Sequence, residues 1–492
     1  MQSVTKRTWI TLAAAALGAM VLGSLARPAA AQEKSATHDL GDVRKTYDVL
    51  VPDGAGPFAI VLYLHPSGGP NFDAFKKDYW PLFRDRKLAV VMPRSVPEVA
   101  STLPVTPPRR RPSTRPRTQP AQPAEKVPPM QMWSAGEETF VMDCLADAQK
   151  KYPLDGKTVL LMGVSGGGQM ALFLADKLPQ QFRAVILAST NPVVVRGANF
   201  TWFYPNRDVL KTCPYFVFNH ITEGSSLMYW RQVQVKLAGE GASISLLPIL
   251  GPVAHYFPPP RELPAWLDEA LAGKQSAPLA DPQKKAVAAR CAPAAAALAK
   301  LLPQAKPAKA ETTAHRNGRV YKLTVPMPKQ FIRSANESVL DARNNPITEI
   351  QIEHEKWPIY LRHDACSSQQ PMAELLAAEE AETVSRGMLY QVYQTVSVEA
   401  GGRTWSVKIG SFTYPDQKRG WVSPLFAYAA APIAADPKQW LGVLIWDETQ
   451  RNELDEQAAE MAGLLKSALT GLAVGAPDPR AATTQPKKEP GK

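Results

Sequence analysis

Cysteine is scarce: four residues in a chain of 492, too few for a disulfide-stapled scaffold or a protein with several structural zincs. Histidine numbers only seven, so histidine chemistry must come from a handful of positions. Charged residues make up 21% and hydrophobic ones 45%. These are globular values and exclude wholesale disorder. Long apolar runs are missing except near the start, and no other segment reaches the ~20 apolar residues of a membrane span. Proline runs the other way, at 46 residues, about twice the usual ~5% share. Its uneven spread predicts structureless stretches.

The formal net charge of +11 matters less than its location. Residues 1–31 hold Lys6, Arg7 and Arg27 and no acid. Between Pro104 and Pro129, five arginines and Lys126 face Glu125 alone. The remainder is nearly balanced, and no basic stripe is interleaved with aromatics, which argues against a nucleic-acid partner.

Lys6-Arg7 precedes an apolar run from Trp9 to Leu25 and then Ala29-Ala30-Ala31. A basic head, a short apolar stretch and small residues at the cleavage site read as a secretory signal peptide over 1–31. Thr5-Lys6-Arg7-Thr8-Trp9-Ile10 loosely resembles a twin-arginine signal with lysine in the first place. The expectation is an exported protein, periplasmic or secreted, with no transmembrane segment once the signal is cleaved.

From 38 to 271, short apolar runs alternate with amphipathic stretches. Candidate strands are Lys45–Val51, Ala59–Leu64, Ala89–Met92, Val159–Met162, Ala184–Ala188, Tyr215–Phe218 and Ile244–Ile249. Most are continuously apolar, as strands buried on both faces of a parallel sheet should be. The pattern predicts an α/β domain, a mostly parallel sheet flanked by helices. Residues 104–129, with nine prolines, are expected as a disordered insertion whose cations suit contact with an anionic surface. The Ala/Pro/Lys-rich stretch 272–315 reads as a linker, within which Gln283–Leu302 could be helical apart from Pro293. Residues 316–472 read as a second, α+β domain with a mostly antiparallel sheet. Its strands are Val320–Val325, Ile347–His354, Pro358–Arg362, Tyr390–Val398, Thr404–Ile409 and Trp440–Trp446, and a final helix carries Leu454, Ala458, Met461, Leu465 and Ala468. The tail 473–492 is expected to be disordered.

Gly163-Val164-Ser165-Gly166-Gly167 follows a β-like run and precedes a helical one, the strand–turn–helix setting of a nucleophile elbow. A serine hydroxyl needs a base at neutral pH, and His255, after the strand-like Ile244–Ile249, is placed best. Between the two, Glu223 follows the strand Tyr215–Phe218 at its C-terminal end, where open α/β sheets gather their sites. Asp208, before that strand, is the weaker choice, and His220 beside Glu223 is a competing site residue. The oxyanion of an acyl-transfer intermediate needs N–H donors. Gly166 offers one. In His65-Pro66-Ser67-Gly68-Gly69, Pro66 has no N–H, so Ser67 is the second. His65 itself reads as structural.

Residues of about 45–270 resemble the α/β-hydrolase superfamily, in particular small serine esterases of the polyhydroxybutyrate-depolymerase, feruloyl-esterase and phospholipase/carboxylesterase kind. Leu64–Gly69 resembles their L-H-G-x-G-G loop, Gly163–Gly167 their G-x-S-x-G-G elbow, and His255-Tyr256-Phe257-Pro258 the stretch around their histidine. Asn219-His220-Ile221-Thr222-Glu223 occupies the place of their H-G-x-x-D segment. Pro66 stands where that family has glycine, and Glu223 where it has aspartate. The resemblance implies a Ser-Glu-His esterase working through an acyl-enzyme on a small-molecule or polymeric ester, with no cofactor and no metal. The C-terminal region vaguely resembles the PsbP-like α-β-α sandwiches, which carry no catalytic motif.

Two readings compete with the esterase. One is a catalytically decayed hydrolase that acts as a binding protein through its C-terminal domain. The other is a peptidase of the same fold, although neither the cap nor the propeller usual there is visible. Trp405, Trp421, Trp440 and Trp446 suggest a carbohydrate platform, against the commoner role of strand aromatics as core. His354 and His363 show no metal-ligand spacing. Cys291 and Cys366 are a candidate disulfide that sequence leaves open.

Overall fold

A computed structural model describes residues 34–475 apart from 42–44, 70, 96–132, 134–136, 197–198, 251–255, 257, 276–278, 318–320, 335–346, 369–371, 417–419, 434–437 and 450–453. Residues 1–31, expected as a signal peptide, residues 104–129, expected as a disordered insertion, His255 and the residues beyond 475 lie outside the described residues. The chain divides into two compact units, 1–185 and 186–492, and the boundary falls within a strand, Ala184–Ala188.

The first unit holds β1 (Lys34–Asp39), β2 (Thr46–Val51), β3 (Phe58–Leu64), β4 (Leu88–Pro93), β5 (Leu154–Val164) and the start of β6 (Ala184–Ala188), in the order β1-β2-β4-β3-β5-β6. β3 pairs parallel with β4 and β5, whereas β2 pairs antiparallel with β1 and β4. β3 and β4 read Phe-Ala-Ile-Val-Leu-Tyr-Leu and Leu-Ala-Val-Val-Met-Pro and are buried almost throughout, because helices cover both faces. Those helices are α1 (Phe72–Asp78), α2 (Trp80–Arg84), α3 (Glu137–Lys151) and α4 (Gly166–Lys177). α3 starts on Glu137-Glu138 and ends on Lys150-Lys151, each charge at the favourable end of the helix dipole, and it buries Phe140, Val141, Cys144, Leu145 and Ala148. β1, Lys-Ser-Ala-Thr-His-Asp, carries no apolar alternation. It is an edge strand held by its ladder to β2, which is why its sequence gives no strand signal.

In the second unit β6 continues, followed by the hairpin β7 (Val193–Arg196) and β8 (Asn199–Trp202), then β9 (Tyr215–His220) and β10 (Ser245–Ile249). The order here is β6-β9-β10, and β9 and β10 pair in parallel. Helices α5 (Arg207–Leu210), α6 (Gly224–Gly239) and α7 (Leu263–Leu271) accompany them. The sheet is mostly parallel and flanked by helices, the α/β-hydrolase arrangement expected from sequence.

The C-terminal region is α+β. After α8 (Pro282–Leu301) come β11 (Ala310–Asn317), β12 (Lys322–Pro328), β13 (Phe331–Arg333), β14 (Ile347–His354), β15 (Ile359–Ser367), α9 (Met372–Ser385), β16 (Leu389–Ala400), β17 (Arg403–Asp416), β18 (Gly420–Val422), β19 (Leu425–Pro432), β20 (Gln439–Asp447), α10 (Leu454–Gly471) and β21 (Ala473–Gly475). An antiparallel sheet runs β13-β14-β15-β20-β19-β17-β16 with β18 added to β17, and a smaller one runs β11-β12-β21. Leu361, Val407, Ala427 and Val443 on one face of the large sheet share a core with Leu298 of α8 and Leu465 of α10. The other face carries Cys366, Phe426, Tyr428 and Trp440.

Several segments differ from the sequence expectations. The stretch 272–315, expected as a linker, contains α8 and most of β11. Asp281 caps α8 by accepting from the Lys284 amide at 3.0 Å, and Val287, Cys291, Ala294, Ala295 and Leu298 bury one face of the helix. Alanine is the best helix former, and its small side chain lets the helix lie close to the sheet. By length and composition α8 with the turn after it could also cross a membrane, but its buried face belongs to this core. The Ala-rich β19 is a central strand for the same steric reason: Ala427 and Ala429 lie under the packed helices. Ala473–Gly475, expected as part of a disordered tail, pairs with β12. All four cysteines are buried thiols outside any disulfide. Cys291 belongs to the helix-covered core and Cys366 to the opposite face, so the two do not pair. Trp405 and Trp440 are buried within the sheet, so the four indoles make no exposed platform.

Candidate functional site

The elbow belongs to the first unit. β5 ends at Val164 and α4 begins at Gly166, leaving Ser165 alone in the turn at φ 52°, ψ −118°. That conformation strains any residue with a Cβ. The serine side chain caps no amide of the helix. Two neighbours are glycine for a spatial reason. A Cβ on Gly163 would stand 2.5 Å from the Gly167 carbonyl oxygen and 2.6 Å from Gly168 Cα. One on Gly167 would overlap the carbonyl oxygens of Leu64 and His65. The end of β3 therefore lies directly against the first turn of α4.

That contact brings the loop after β3 to the elbow. A Cβ on Gly166 would collide with the Ser67 hydroxyl and lie 3.4 Å from the Ser67 amide nitrogen. The two amides expected to serve an oxyanion are thus neighbours, one of them at a helix N-terminus where negative charge is favoured. His65 fixes this loop. The Ser95 amide donates to its Nε2 at 3.0 Å, so that nitrogen is bare, and Nδ1–H donates to the Pro66 carbonyl at 2.8 Å. Burial, aided by Arg94, pushes the His65 pKa down to about 4. The ring is therefore neutral and structural at working pH. The Trp133 indole donates to the His65 carbonyl at 2.8 Å and packs on the ring at 4.8 Å. Sequence reasoning named neither Ser95 nor Trp133, since a lone serine and a lone tryptophan far along the chain carry no motif.

In the second unit, Glu223 stands at the N-cap of α6 just past the C-terminal end of β9. Its Oε2 accepts from the His220 amide at 3.2 Å, and its own amide donates to the His220 carbonyl at 2.9 Å. His220 is buried, and its Nδ1 accepts from the Thr222 amide at 3.2 Å. β10 ends beside this turn: Ile249 pairs with His220, and the Ile221 amide donates to the Ile249 carbonyl at 3.1 Å. Asp208 lies instead on the exposed α5, paired with Lys211 at 2.8 Å. His363 is fully buried in β15, and burial pushes its pKa down to about 4. His354 is hydrogen-bonded at the surface to Gln330. Among the described residues no cluster of His, Cys, Asp and Glu is arranged to hold a metal.

Residues 90–271 match the model of a family described as putative esterase. No curated protein matches the chain. Solved structures similar to it include an S-formylglutathione hydrolase from Agrobacterium tumefaciens, at 16% identity over 49% of this chain and 95% of that one, TM-score 0.31. A carboxylesterase from Bacillus cereus shares 14% over 51% and 98%, TM-score 0.28. A thermostable esterase shares 17%, TM-score 0.28, and the match spans 44% of this chain and about half of that enzyme's length, 53%. The stretch that carries the elbow and Glu223 is thus similar in sequence to putative esterases, on an α/β-hydrolase sheet.

Proposed function

We propose that the protein is an exported serine hydrolase that cleaves carboxylic esters through an acyl-enzyme. Ser165 is the nucleophile, His255 the base and Glu223 the residue that orients it. The observation that carries this reading is the backbone of Ser165, strained at φ 52° between β5 and α4, with the Gly166 and Ser67 amides beside it. Strain of this kind is kept where the surrounding structure demands it, and here it serves to present a hydroxyl.

In the proposed reaction Ser165 Oγ attacks the ester carbonyl carbon while its proton passes to His255. The carbonyl oxygen becomes an oxyanion, which the Gly166 and Ser67 amides receive. His255 returns the proton to the departing alkoxide, leaving an acyl-serine. Water then attacks that acyl carbon, giving its proton to His255, and the carboxylic acid leaves as Ser165 recovers its own. No cofactor enters these steps.

The test is labelling of the mature protein with a fluorophosphonate and turnover of short p-nitrophenyl esters, with Ser165→Ala as control. Labelling and turnover that vanish in the control support the reading. Silence from folded wild-type protein on both counts overturns it in favour of a binding role for the C-terminal region.

A further inference from the structure

The large antiparallel sheet of the C-terminal region has a second face that the core helices α8 and α10 do not cover. Its register places four residues in one row across four strands. Arg362 of β15 faces Leu444 of β20, Leu444 faces Tyr428 of β19, and Tyr428 faces Lys408 of β17. The adjoining row carries Trp446, Phe426 and Gly410, and Phe412 pairs with Tyr390 beside it. Aromatic side chains thus form a floor with a cation at each end.

Two glycines make room for that floor. A Cβ on Gly410 would stand 3.0 Å from Phe426 Cε1, and one on Gly442 would stand 2.7 Å from the Tyr428 hydroxyl. The rings therefore lean over the bare backbone instead of standing clear of it. Tyr390 and Phe412 each pack on Phe426, at centroid distances of 5.2 and 5.9 Å. α9 supplies the roof through Glu380 and Thr383, and a cavity of about 250 Å³ lies between roof and floor.

We propose that this cavity binds a small amphipathic carboxylate, its flat apolar body on Phe412, Phe426 and Tyr428 and its acid group on Lys408. A mostly apolar pocket with a few polar groups around it is the form of a small-molecule site. Two cations, Arg362 and Lys408, against the single acid Glu380 among the described lining residues favour an anionic ligand. Both floor cations are fixed by the sheet, and Arg362 is oriented by Asp364, whose Oδ2 lies 3.0 Å from its Nε. Among the described lining residues the acid is Glu380, which comes from the roof and faces Lys408 at 3.5 Å. An ammonium has three donors, so this long contact leaves it able to take a ligand carboxylate.

The site is separate from the elbow, so the test does not depend on hydrolysis. The intact mature protein carrying Ser165→Ala is titrated calorimetrically with phenylpropanoate, its amide and the corresponding amine. Saturable one-to-one binding of the acid is expected, with the amide at least 10-fold weaker and the amine weaker still. Lys408→Gln should weaken the acid by at least 10-fold and leave the amide unchanged. Leu444→Trp, which fills the cavity from the floor, should remove binding of both, with thermal unfolding confirming that each variant is folded. Equal affinity for acid and amide, preference for the amine, absence of saturable binding up to millimolar ligand, or binding that neither variant alters would each overturn the proposal.

Discussion

Gly167→Ala tests the close approach on which the elbow rests, and the sign of its effect is diagnostic. Inside a helix, alanine is normally better than glycine by ~1 kcal/mol, so an unremarkable position would be stabilised. At Gly167 the added Cβ would lie 2.5 Å from the Leu64 carbonyl carbon and overlap two carbonyl oxygens. Carbon atoms are comfortable at ~3.5–4.0 Å, so the first turn of α4 and the end of β3 must part by about 1 Å. Both sides of the contact are backbone, and no rotamer change can relieve it. Overpacking of this kind costs ~1–3 kcal/mol, and the unyielding partners put this case at the upper end. After the helix-propensity gain, a net loss of ~2 kcal/mol remains, or a fall of ~4–8 °C in Tm for a unit of this size.

The same displacement separates the Gly166 amide from that of Ser67 and turns the Ser165 hydroxyl. A misplacement of ~1 Å can cost ~100-fold in turnover, so hydrolysis of p-nitrophenyl acetate should fall by about that factor. Gly239→Ala is the control, because its Cβ would meet nothing within 4 Å and it lies in the last turn of α6. That variant should gain up to ~1 kcal/mol and keep its turnover. Unfolding followed by circular dichroism and initial rates on the same preparations decide the matter. A Gly167→Ala protein as stable and as active as wild type would refute the argument.

Ser165→Gly should remove all turnover yet raise stability by ~1 kcal/mol, since glycine adopts φ 52° without the strain serine bears there; a loss in Tm would contradict the strain account. His363 is buried with Nε2 unpartnered, and its pKa is pushed down to about 4 from an ordinary 6.5. The unfolded chain therefore takes up a proton below pH 6.5 that the folded one refuses until about pH 4. Stability is complete above 6.5 and falls by ~3 kcal/mol on the way down to 4. His363→Leu should flatten that part of the denaturation profile and be at least neutral at pH 7, where it removes an orphaned acceptor; an unchanged acid slope would refute this. Glu223→Gln should lower turnover by up to ~10,000-fold, as loss of the orienting carboxylate does in such triads. Asp208→Asn should leave turnover within a factor of two or so, and the reverse ranking would reassign the acid.

Strands buried on both faces announce themselves. β3, β4 and β6 are continuous apolar runs, and the sequence boundaries differ from the observed ones by a residue at most. What escaped was structure held by neighbours rather than by its own pattern. β1 is polar and exists through its ladder to β2. α8 and β19 are alanine-rich and gain their places from close packing in the C-terminal core. The cavity floor was equally hidden, because Arg362, Lys408, Tyr428 and Leu444 come from four strands and meet only through register. No spacing along one segment encodes that.

The elbow was legible because glycine leaves a mark. Gly163 and Gly167 are demanded by backbone atoms within 2.6 Å of a missing Cβ, and such a demand appears in the sequence as a fixed residue type. The acid leaves no such mark, since any carboxylate near the right strand end satisfies the pattern. Local geometry narrows the choice. Glu223 lies in the turn after β9, which is hydrogen-bonded to the end of β10, and His255 follows β10 in the chain. Asp208 precedes β9 and is held on the surface by Lys211. The longer glutamate side chain also has a local partner in the His220 amide, which restrains its rotamers. A freely turning glutamate would orient an imidazole poorly, because each extra rotatable bond must be frozen for the hydrogen bond to form. A carboxylate anchored through one oxygen loses less on forming that second bond, so a glutamate can hold the place where related motifs carry aspartate.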